Sequence, residues 1–570
     1  MLKIQSDISA LDKVTTRRGA ALLLEVLRSE GVRYIFGNPG TTELPLMDAL
    51  IEAPDINYIW ALQEASAVAM ADGYAQAAGR PGFVNLHTAG GLGHGFGNLL
   101  NASVCGTPLV VTAGQQDLRH TITDPLLFGD LVTIARPTVK WAQEVQRADQ
   151  IPILVRRAFH DCSAPPTGPV FLALPMNVME EMTSAGIAET STIDRAAVAG
   201  SLERLADYLA AVAPGKLAIV AGDEISASNA AAETVRLAEL FGAPVYGSSW
   251  PLHIPYPTSH PLWAGNLPTK AREIAQIFRA YDAVFALGGK SLITLLYTEG
   301  SAVPDGCELF HLSADARNLG RTYATKLAVV GDIKSSLTAL LLMLAQRLAR
   351  QTEAYAALGE TARREQKARR AHLVAAAEAA FDAPVIAPLV AAREIAAAIG
   401  PDIAIIDEAP ATSLHLRSFL NSNSTRQYSF SRGGALGWGM PAAVGYSLGI
   451  DRAPVVSIVG DGAALYSPQA LWTAARENLP VTFVVVNNRE YNILKDFMKA
   501  QPHYASVRAN RFIAMDLVKP AIDFLALAGA MGVPARRIDR ARDIAPAIET
   551  GIASHTANLV EIPVSADRQA

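Results

Sequence analysis

A chain of 570 residues, 50% hydrophobic and 18% charged, is long enough for three or four separately packed cores and has none of the bias of a disordered or fibrous protein. Its 49 basic against 54 acidic residues leave a net charge of −5, with no basic face of the kind nucleic acid needs. Cys105, Cys162 and Cys307 form no CxxC or Cys/His cluster, and neither a signal peptide nor an uninterrupted 18-residue apolar run is legible, which together predict a reduced, cytoplasmic protein free of membrane.

In chain order, residues 1–16 read as a polar lead-in. A helix follows in R-G-A-A-L-L-L-E-V-L-R-S-E-G, stopped by its glycine, and then a strand in V-R-Y-I-F-G. Further strands are predicted at I-N-Y-I-W, G-F-V-N-L-H, P-L-V-V-T-A-G and G-P-V-F-L-A-L-P, making residues 17–180 a βα domain with a parallel sheet. Residues 181–200 read as a linker. A second βα series runs from K-L-A-I-V-A-G-D through A-P-V-Y-G-S, D-A-V-F-A-L-G-G and C-E-L-F-H-L-S to L-A-V-V-G-D, giving a middle domain at 200–345. The charged, Ala-rich segment 346–380 predicts a helical connector. The last domain, 384–565, holds I-A-I-I-D-E, Q-Y-S-F-S, V-V-S-I-V-G-D, V-T-F-V-V-V-N-N and N-L-V-E-I-P. The fold class is therefore α/β, with three doubly wound parallel sheets.

Two of these strands carry the chemistry. Gly460-Asp461-Gly462 closes one apolar β-branched run, and after 24 further residues Asn487-Asn488 closes the next. Consecutive parallel strands put their carboxyl ends at one ligand crevice, so Asp461 and Asn488 become neighbours there. A hard cation takes oxygen ligands and often holds a diphosphate as well. The Asp461 carboxylate, the Asn488 amide oxygen and the Glu490 main-chain carbonyl supply half of such a shell. Taken alone, GDG is equally well a turn aspartate.

This spacing resembles the diphosphate motif of the thiamine-diphosphate (ThDP) enzymes, whose pyrimidine-binding, central and diphosphate-binding domains match the three-domain plan. A second segment, E-A-S-A-V-A-M-A-D-G-Y-A-Q-A-A-G-R-P-G from Glu64, is similar to the family segment that begins with the cofactor-activating glutamate. By itself Glu64 is a first-turn glutamate at a helix start. The resemblance extends over nearly the whole chain to the benzoylformate decarboxylases, through F-G-N-P-G-T-T-E-L-P, V-N-L-H-T-A-G-G-L-G-H-G, R-P-T-V-K-W, P-Y-P-T-S-H-P-L-W-A-G-N-L-P and A-L-W-T-A-A-R-E-N-L-P.

What the resemblance implies is specific. ThDP and Mg2+ (or Ca2+) are the cofactors, and the substrate is an aryl or bulky 2-oxo acid, decarboxylated without oxidation. Glu64 activates the cofactor, and the Gly434 carbonyl with Leu436 supports its bent form. Gly460, Asp461, Gly462, Ala463, Asn488 and Tyr491 bind the diphosphate, with Asp461, Asn488 and Glu490 on the metal. Thr41 binds the substrate carboxylate, its methyl narrowing the pocket where the family has serine. His87 and His260 carry protons, a task suited to imidazole near neutrality. His94 and His120 are left as solvent or loop residues. Two subunits share each cofactor site, implying an obligate homodimer and a homotetramer.

Departures concern the substrate: Ile493 replaces a small residue beside Leu494 and Phe497, and D-E-A-P-A-T-S has lost hydroxyls. The alternatives are a ThDP-dependent carboligase or lyase (acetolactate synthase-like or hydroxyketone lyase), a flavin-dependent oxidase, though A-G-D-E-I-S-A-S-N-A lacks GxGxxG, and a non-catalytic ThDP-binding homologue.

Overall fold

The computed structural model describes residues 16–422 and 427–566; all but the last residue of the predicted lead-in lies outside them. Two compact units divide between Thr192 and Ile193, Gln76–Gly79 excepted.

The first unit is built on six strands: β1 (Tyr34–Gly37), β2 (Asn57–Trp60), β3 (Gly82–His87), β4 (Leu109–Gln115), β5 (Ala142–Glu144) and β6 (Val170–Pro175). They pair in the order β2-β1-β3-β4-β6-β5, every pair parallel. Strands covered by helices on both faces must be apolar throughout, and β4 and β6 are buried at every residue. α1 (Glu64–Ala78) follows β2 and α2 (Thr88–Cys105) follows β3. Helices Gly19–Ser29 and Ile151–Ser163 pack together on one face, where Leu22, Leu23 and Val155 are fully buried and Phe159 stacks on Phe83 at 6.4 Å. Each such side chain contributes about 1.5–3 kcal/mol by leaving water. A two-residue antiparallel pairing of Arg17–Arg18 with Met182–Thr183 ties the start of the unit to its end.

The second unit holds two sheets. The central one has β7 (Leu217–Ala221), β8 (Val245–Gly247), β9 (Trp263–Asn266), β10 (Ala283–Leu287), β11 (Glu308–Ser313) and β12 (Leu327–Val330) in the order β9-β8-β7-β10-β11-β12. α3 (Thr352–Ala379) is the predicted connector, a 28-residue helix burying only Tyr355 and Ala377. The last sheet has β13 (Ala404–Glu408), α4 (Pro410–Phe419), β14 (Tyr428–Phe430), β15 (Val455–Gly460), β16 (Val481–Asn487), α5 (Asn492–Lys499), β17 (Ala535–Arg537) and β18 (Asn558–Pro563). Its order is β14-β13-β15-β16-β18-β17, again all parallel. The α/β class with three parallel sheets thus stands. Each sheet also contains one short strand absent from the sequence reading: β5, β9 and β17.

Candidate active site

Each unit carries a cluster at the carboxyl ends of its strands, where a parallel sheet presents its ligand-facing loops. In the first unit, β1 runs into Asn38-Pro39-Gly40 and a tight turn at Thr41–Glu43. Thr41 is exposed at the head of that turn, while Thr42 and Glu43 are buried. The Glu43 carboxylate accepts hydrogen bonds from Gly40 N (2.9 Å), Gly114 N (3.0 Å) and Thr42 Oγ1 (2.7 Å). It also lies 2.8 Å from Nδ1 of His87, the last residue of β3. That contact is the largest cause raising the proton affinity of His87 above the ordinary histidine value; partial burial opposes it, and the charges of Glu43 and Glu64 add to it. With Nδ1–H donating to Glu43, Nε2 is the nitrogen left for proton exchange.

The packing demands small residues. A Cβ on Gly40 would fall 2.3 Å from His87 Nδ1, and one on Gly114 would fall 2.0 Å from Glu43 Oε1. Thr88, directly after His87, has φ +47°, a conformation β-branched residues avoid, so the imidazole is aimed by a constrained backbone.

Glu64 opens α1 and is 7% exposed. Asn38 Nδ2 donates to its Oε1 at 3.1 Å, and Asn38 Oδ1 in turn accepts from Trp60 Nε1 at 3.0 Å. A Cβ at Gly91 would lie 3.1 Å from Glu64 Cγ. His94, assigned no role from the sequence, stands in α2 with Nδ1 3.1 Å from Glu64 Oε2. Glu43, Thr42 and His94 are therefore contacts the sequence reading missed. Only the T-T-E pattern after N-P-G hinted at the first two.

The second unit supplies the other cluster. β15 and β16 lie side by side, Gly460 pairing with Val486, and Asp461 begins a single helical turn, Asp461–Ala464. Asp461 is 5% exposed. Its oxygens accept from Gly462 N (2.8 Å) and Arg489 N (2.6 Å), and burial nevertheless pushes its carboxyl up to about 6. Asn488 Oδ1 accepts from Glu490 N at 3.1 Å. Arg489, between them, has φ +61°. A Cβ on Gly462 would lie 2.4 Å from Tyr491 Cε1, so the Asp461 turn and Tyr491 approach as closely as glycine permits.

The loop that follows is clamped from outside. Tyr491 N donates to Met515 O (2.8 Å) and Leu517 N to Arg489 O (2.8 Å). Lys495 of α5, 8% exposed, bridges the Glu490 and Asp516 carboxylates. Nothing in the local sequence pattern announced this clamp, because Asp516 joins it from a separate segment.

A third element completes the cluster. Gly434 (φ +80°) and Gly437 (φ +92°) shape the loop that carries Leu436. Glu408, the last residue of β13, accepts from Gly437 N (2.9 Å), Trp438 N (3.0 Å) and Gly439 N (2.8 Å); burial pushes this carboxyl up to about 7. Arg432 in the same loop pairs with Asp223 of the central sheet, whose Oδ1 also accepts from Leu252 N and His253 N at 3.1 Å each.

His260 stands apart from these residues. Its Nδ1 accepts from Tyr256 Oη (2.8 Å) and Leu262 N (3.2 Å), Nε2 lies 3.3 Å from Glu239 Oε1, and the ring meets Tyr256 edge-on. Both nitrogens are engaged within the central domain.

The residues fit a metal-bound diphosphate. Asp461 is a buried carboxylate at a strand end whose hydrogen bonds come from main-chain N–H groups alone, a setting that a divalent cation suits. Among the described residues no group of three or more His, Cys, Asp or Glu side chains gathers as a metal nest, and the Asp461 half-shell has a single carboxylate. No helix among the described residues is long and apolar enough to cross a membrane.

Family models agree with this geometry. Residues 17–133 match the N-terminal TPP-binding domain of thiamine pyrophosphate enzymes, 202–340 the central domain and 411–562 the C-terminal TPP-binding domain. The chain belongs to the thiamine pyrophosphate enzyme family. Over 545 residues it is 30% identical to benzoylformate decarboxylase of Pseudomonas aeruginosa, covering 95% of this chain and 97% of that one. It is 25% identical to acetolactate synthase 3 of Brassica napus over 581 residues, 96% of this chain and 84% of the relative. A solved ThDP-dependent 4-hydroxybenzoylformate decarboxylase from Rhodococcus jostii RHA1 superposes with TM-score 0.84 at 27% identity, covering 97% of this chain and 100% of that one.

Proposed function

We propose that the protein decarboxylates an aryl or otherwise bulky 2-oxo acid, without oxidation, to an aldehyde and CO2, using ThDP and Mg2+ in an obligate homodimer assembled to a homotetramer. The observation that carries this reading is the Glu43–His87 pair, 2.8 Å apart, which holds a proton on an aimed imidazole. Decarboxylation needs a proton delivered to carbon and another removed from a hydroxyl before an aldehyde leaves, and an imidazole titrating near neutrality serves both.

Bound ThDP supplies the nucleophilic carbon and the electron sink. The remaining work falls to this chain. Glu64, with Asn38 donating to one of its oxygens, would hold the aminopyrimidine ring nitrogen. The Gly434 carbonyl would accept from its amino group, with Leu436 beneath. Asp461, Asn488 and the Glu490 carbonyl would hold Mg2+, while Gly460, Gly462, Ala463 and Tyr491 would line the diphosphate. The Thr41 hydroxyl would donate to the substrate carboxylate. His87 Nε2 exchanges the proton, and Glu43 keeps the charge on the ring. Ile493, Leu494 and Phe497 of α5 would bound the acyl group.

A second reading, carboligation, is favoured by one observation: with His260 engaged by Tyr256, Leu262 and Glu239, a single histidine is left for two proton steps.

The test is product analysis. The protein loaded with ThDP and Mg2+ is given benzoylformate and a series of aryl and alkyl 2-oxo acids. CO2 with free aldehyde is the expected result; hydroxyketone or acetohydroxy acid in place of aldehyde would establish the ligase. Glu64→Gln is expected to slow exchange of the cofactor C2 proton by orders of magnitude, and His87→Ala to slow aldehyde release by about a hundredfold or more.

A further inference from the structure

A cavity of about 360 Å3 lies in the second unit away from Asp461, bounded by the edge strand β9, by α3 and by α4. Its lining is cationic: Arg369 and Arg370 reach it from α3 and Arg417 from α4, and no acidic side chain among the described residues faces it. Arg417 is only 6% exposed. Among the described residues its one hydrogen bond is a 3.4 Å contact from Nη1 to Tyr428 Oη, and its guanidinium lies over the Phe430 ring at 5.8 Å. A guanidinium carries five N–H donors in a fixed fork, so most of those of Arg417 have no acceptor among the described residues. These N–H groups are not sealed in protein but open to the cavity, where an acceptor can reach them.

The neighbours do not supply the missing acceptor. Arg369 makes one long contact, to Trp263 O at 3.4 Å. Arg370 is exposed and has no hydrogen-bond or ion-pair partner among the described residues. The buried charge of Asp407 acts on Arg417 with Tyr428 between them; the tyrosine donates to Asp407 Oδ2 at 2.7 Å. Three guanidinia therefore line one space, Arg417 compensated in part by Asp407 and Arg369 and Arg370 without an ion-pair partner among the described residues.

We propose that this cavity is a binding site for a phosphate monoester with a compact apolar body. A phosphate brings a charge near −2 and three acceptor oxygens, enough for all three guanidinia. A monocarboxylate would leave at least one unmatched. Trp263 and Leu373, on the same lining, supply the apolar wall for the ester group. At this volume the site takes a small metabolite, near the lower limit of ligand pockets generally.

The site is connected to the cofactor loop. α4 begins at Pro410, two residues after Glu408, whose carboxylate holds Gly437, Trp438 and Gly439. Drawing Arg417 toward a phosphate acts on Tyr428 and through it on Asp407, the residue directly before Glu408 in the chain. Occupancy is thus expected to change ThDP affinity by a few-fold.

Titration calorimetry tests the proposal on the full chain loaded with ThDP and Mg2+, so that the diphosphate position is filled. Phenyl phosphate, inorganic phosphate and phenylacetate are the probes. One phenyl phosphate per chain is expected, at least about tenfold tighter than phenylacetate or inorganic phosphate. Arg370→Gln, an exposed change that spares folding, should weaken it about tenfold, and Arg369→Gln with Arg370→Gln should abolish it. Binding unchanged in the double variant would overturn the assignment, as would equal affinity for phenylacetate. Inorganic phosphate bound as tightly as phenyl phosphate would show a plain anion site and overturn the apolar part. Because the readout is heat of binding, failure here is separate from any failure of the decarboxylase reading.

Discussion

The central and last sheets of the second unit each have a glutamate at or just beyond the end of their first strand, and the two carboxylates do opposite things. Glu224 follows β7 and reaches across the point where strand order reverses. It accepts from Gly289 N beyond β10, and from Ser313 Oγ and Ala314 N at the end of β11, each at 2.7 Å. The amides that a phosphate would use in a sheet of this order, β9-β8-β7-β10-β11-β12, are taken by the protein's own carboxylate. Glu408 ends β13 but turns instead to Gly437, Trp438 and Gly439 at the head of the helix Gly439–Gly449. It organises one wall of the crevice and leaves the strand end at Asp461 clear. Similar sheets with similar glutamates thus give one closed crevice and one open one, and the difference is which amides the carboxylate captures.

The largest effect should come from the open crevice. Asp461→Ala is expected to weaken ThDP–Mg2+ binding by roughly a hundredfold or more by calorimetry, with little change in the urea midpoint. Retention within a few-fold would remove Asp461 from the cofactor clamp. Glu224→Ala should do the reverse. It strands two main-chain N–H groups and a hydroxyl, so unfolding free energy should fall by roughly 2–3 kcal/mol in urea while ThDP affinity stays near that of the native chain. If Glu224→Ala instead lost cofactor with stability intact, the closed-and-open contrast would be mistaken.

Gly462→Ala sharpens the same contrast from the open side. The added methyl meets Tyr491, and a loss of about tenfold in cofactor affinity is expected, recovered in part by also changing Tyr491→Ser. The smallest effect concerns the first unit, where Glu43 is a third glutamate beyond a first strand. Glu43 raises the proton affinity of His87, so the folded state holds that proton more tightly than the unfolded chain. The resulting stabilisation is full below about pH 6.5 and is lost as pH rises through the higher folded value. The stability difference between the native chain and His87→Asn should therefore shrink with rising pH. A difference that grows would show that Glu43 does not charge the ring.

Interior strands were legible because burial on both faces requires apolar, β-branched runs, as in V-V-S-I-V-G and V-T-F-V-V-V-N. The three missed strands are the three- and four-residue edge strands A-Q-E, W-A-G-N and A-R-R, where a free edge admits polar side chains and erases the pattern. The same division holds at the candidate site. Asp461, Asn488 and Glu64 stood out because a short motif at a strand or helix end marks them. Glu43, His94, Lys495 and Asp516 depend on contacts between distant segments, and no local pattern encodes those. His260 is marked by its flanking P-Y-P-T-S-H-P, while its contacts with Tyr256 and Glu239 are known only from the folded domain.

The first and last sheets share more than parallel strands. Numbered within each domain, both run in the order 2-1-3-4-6-5, whereas the central sheet runs 3-2-1-4-5-6. In that common frame His87 is the final residue of the third strand in one domain, and Asp461 is the first residue beyond the third strand in the other. The end of the third strand thus carries an imidazole in one domain and, one residue beyond it, a carboxylate in the other.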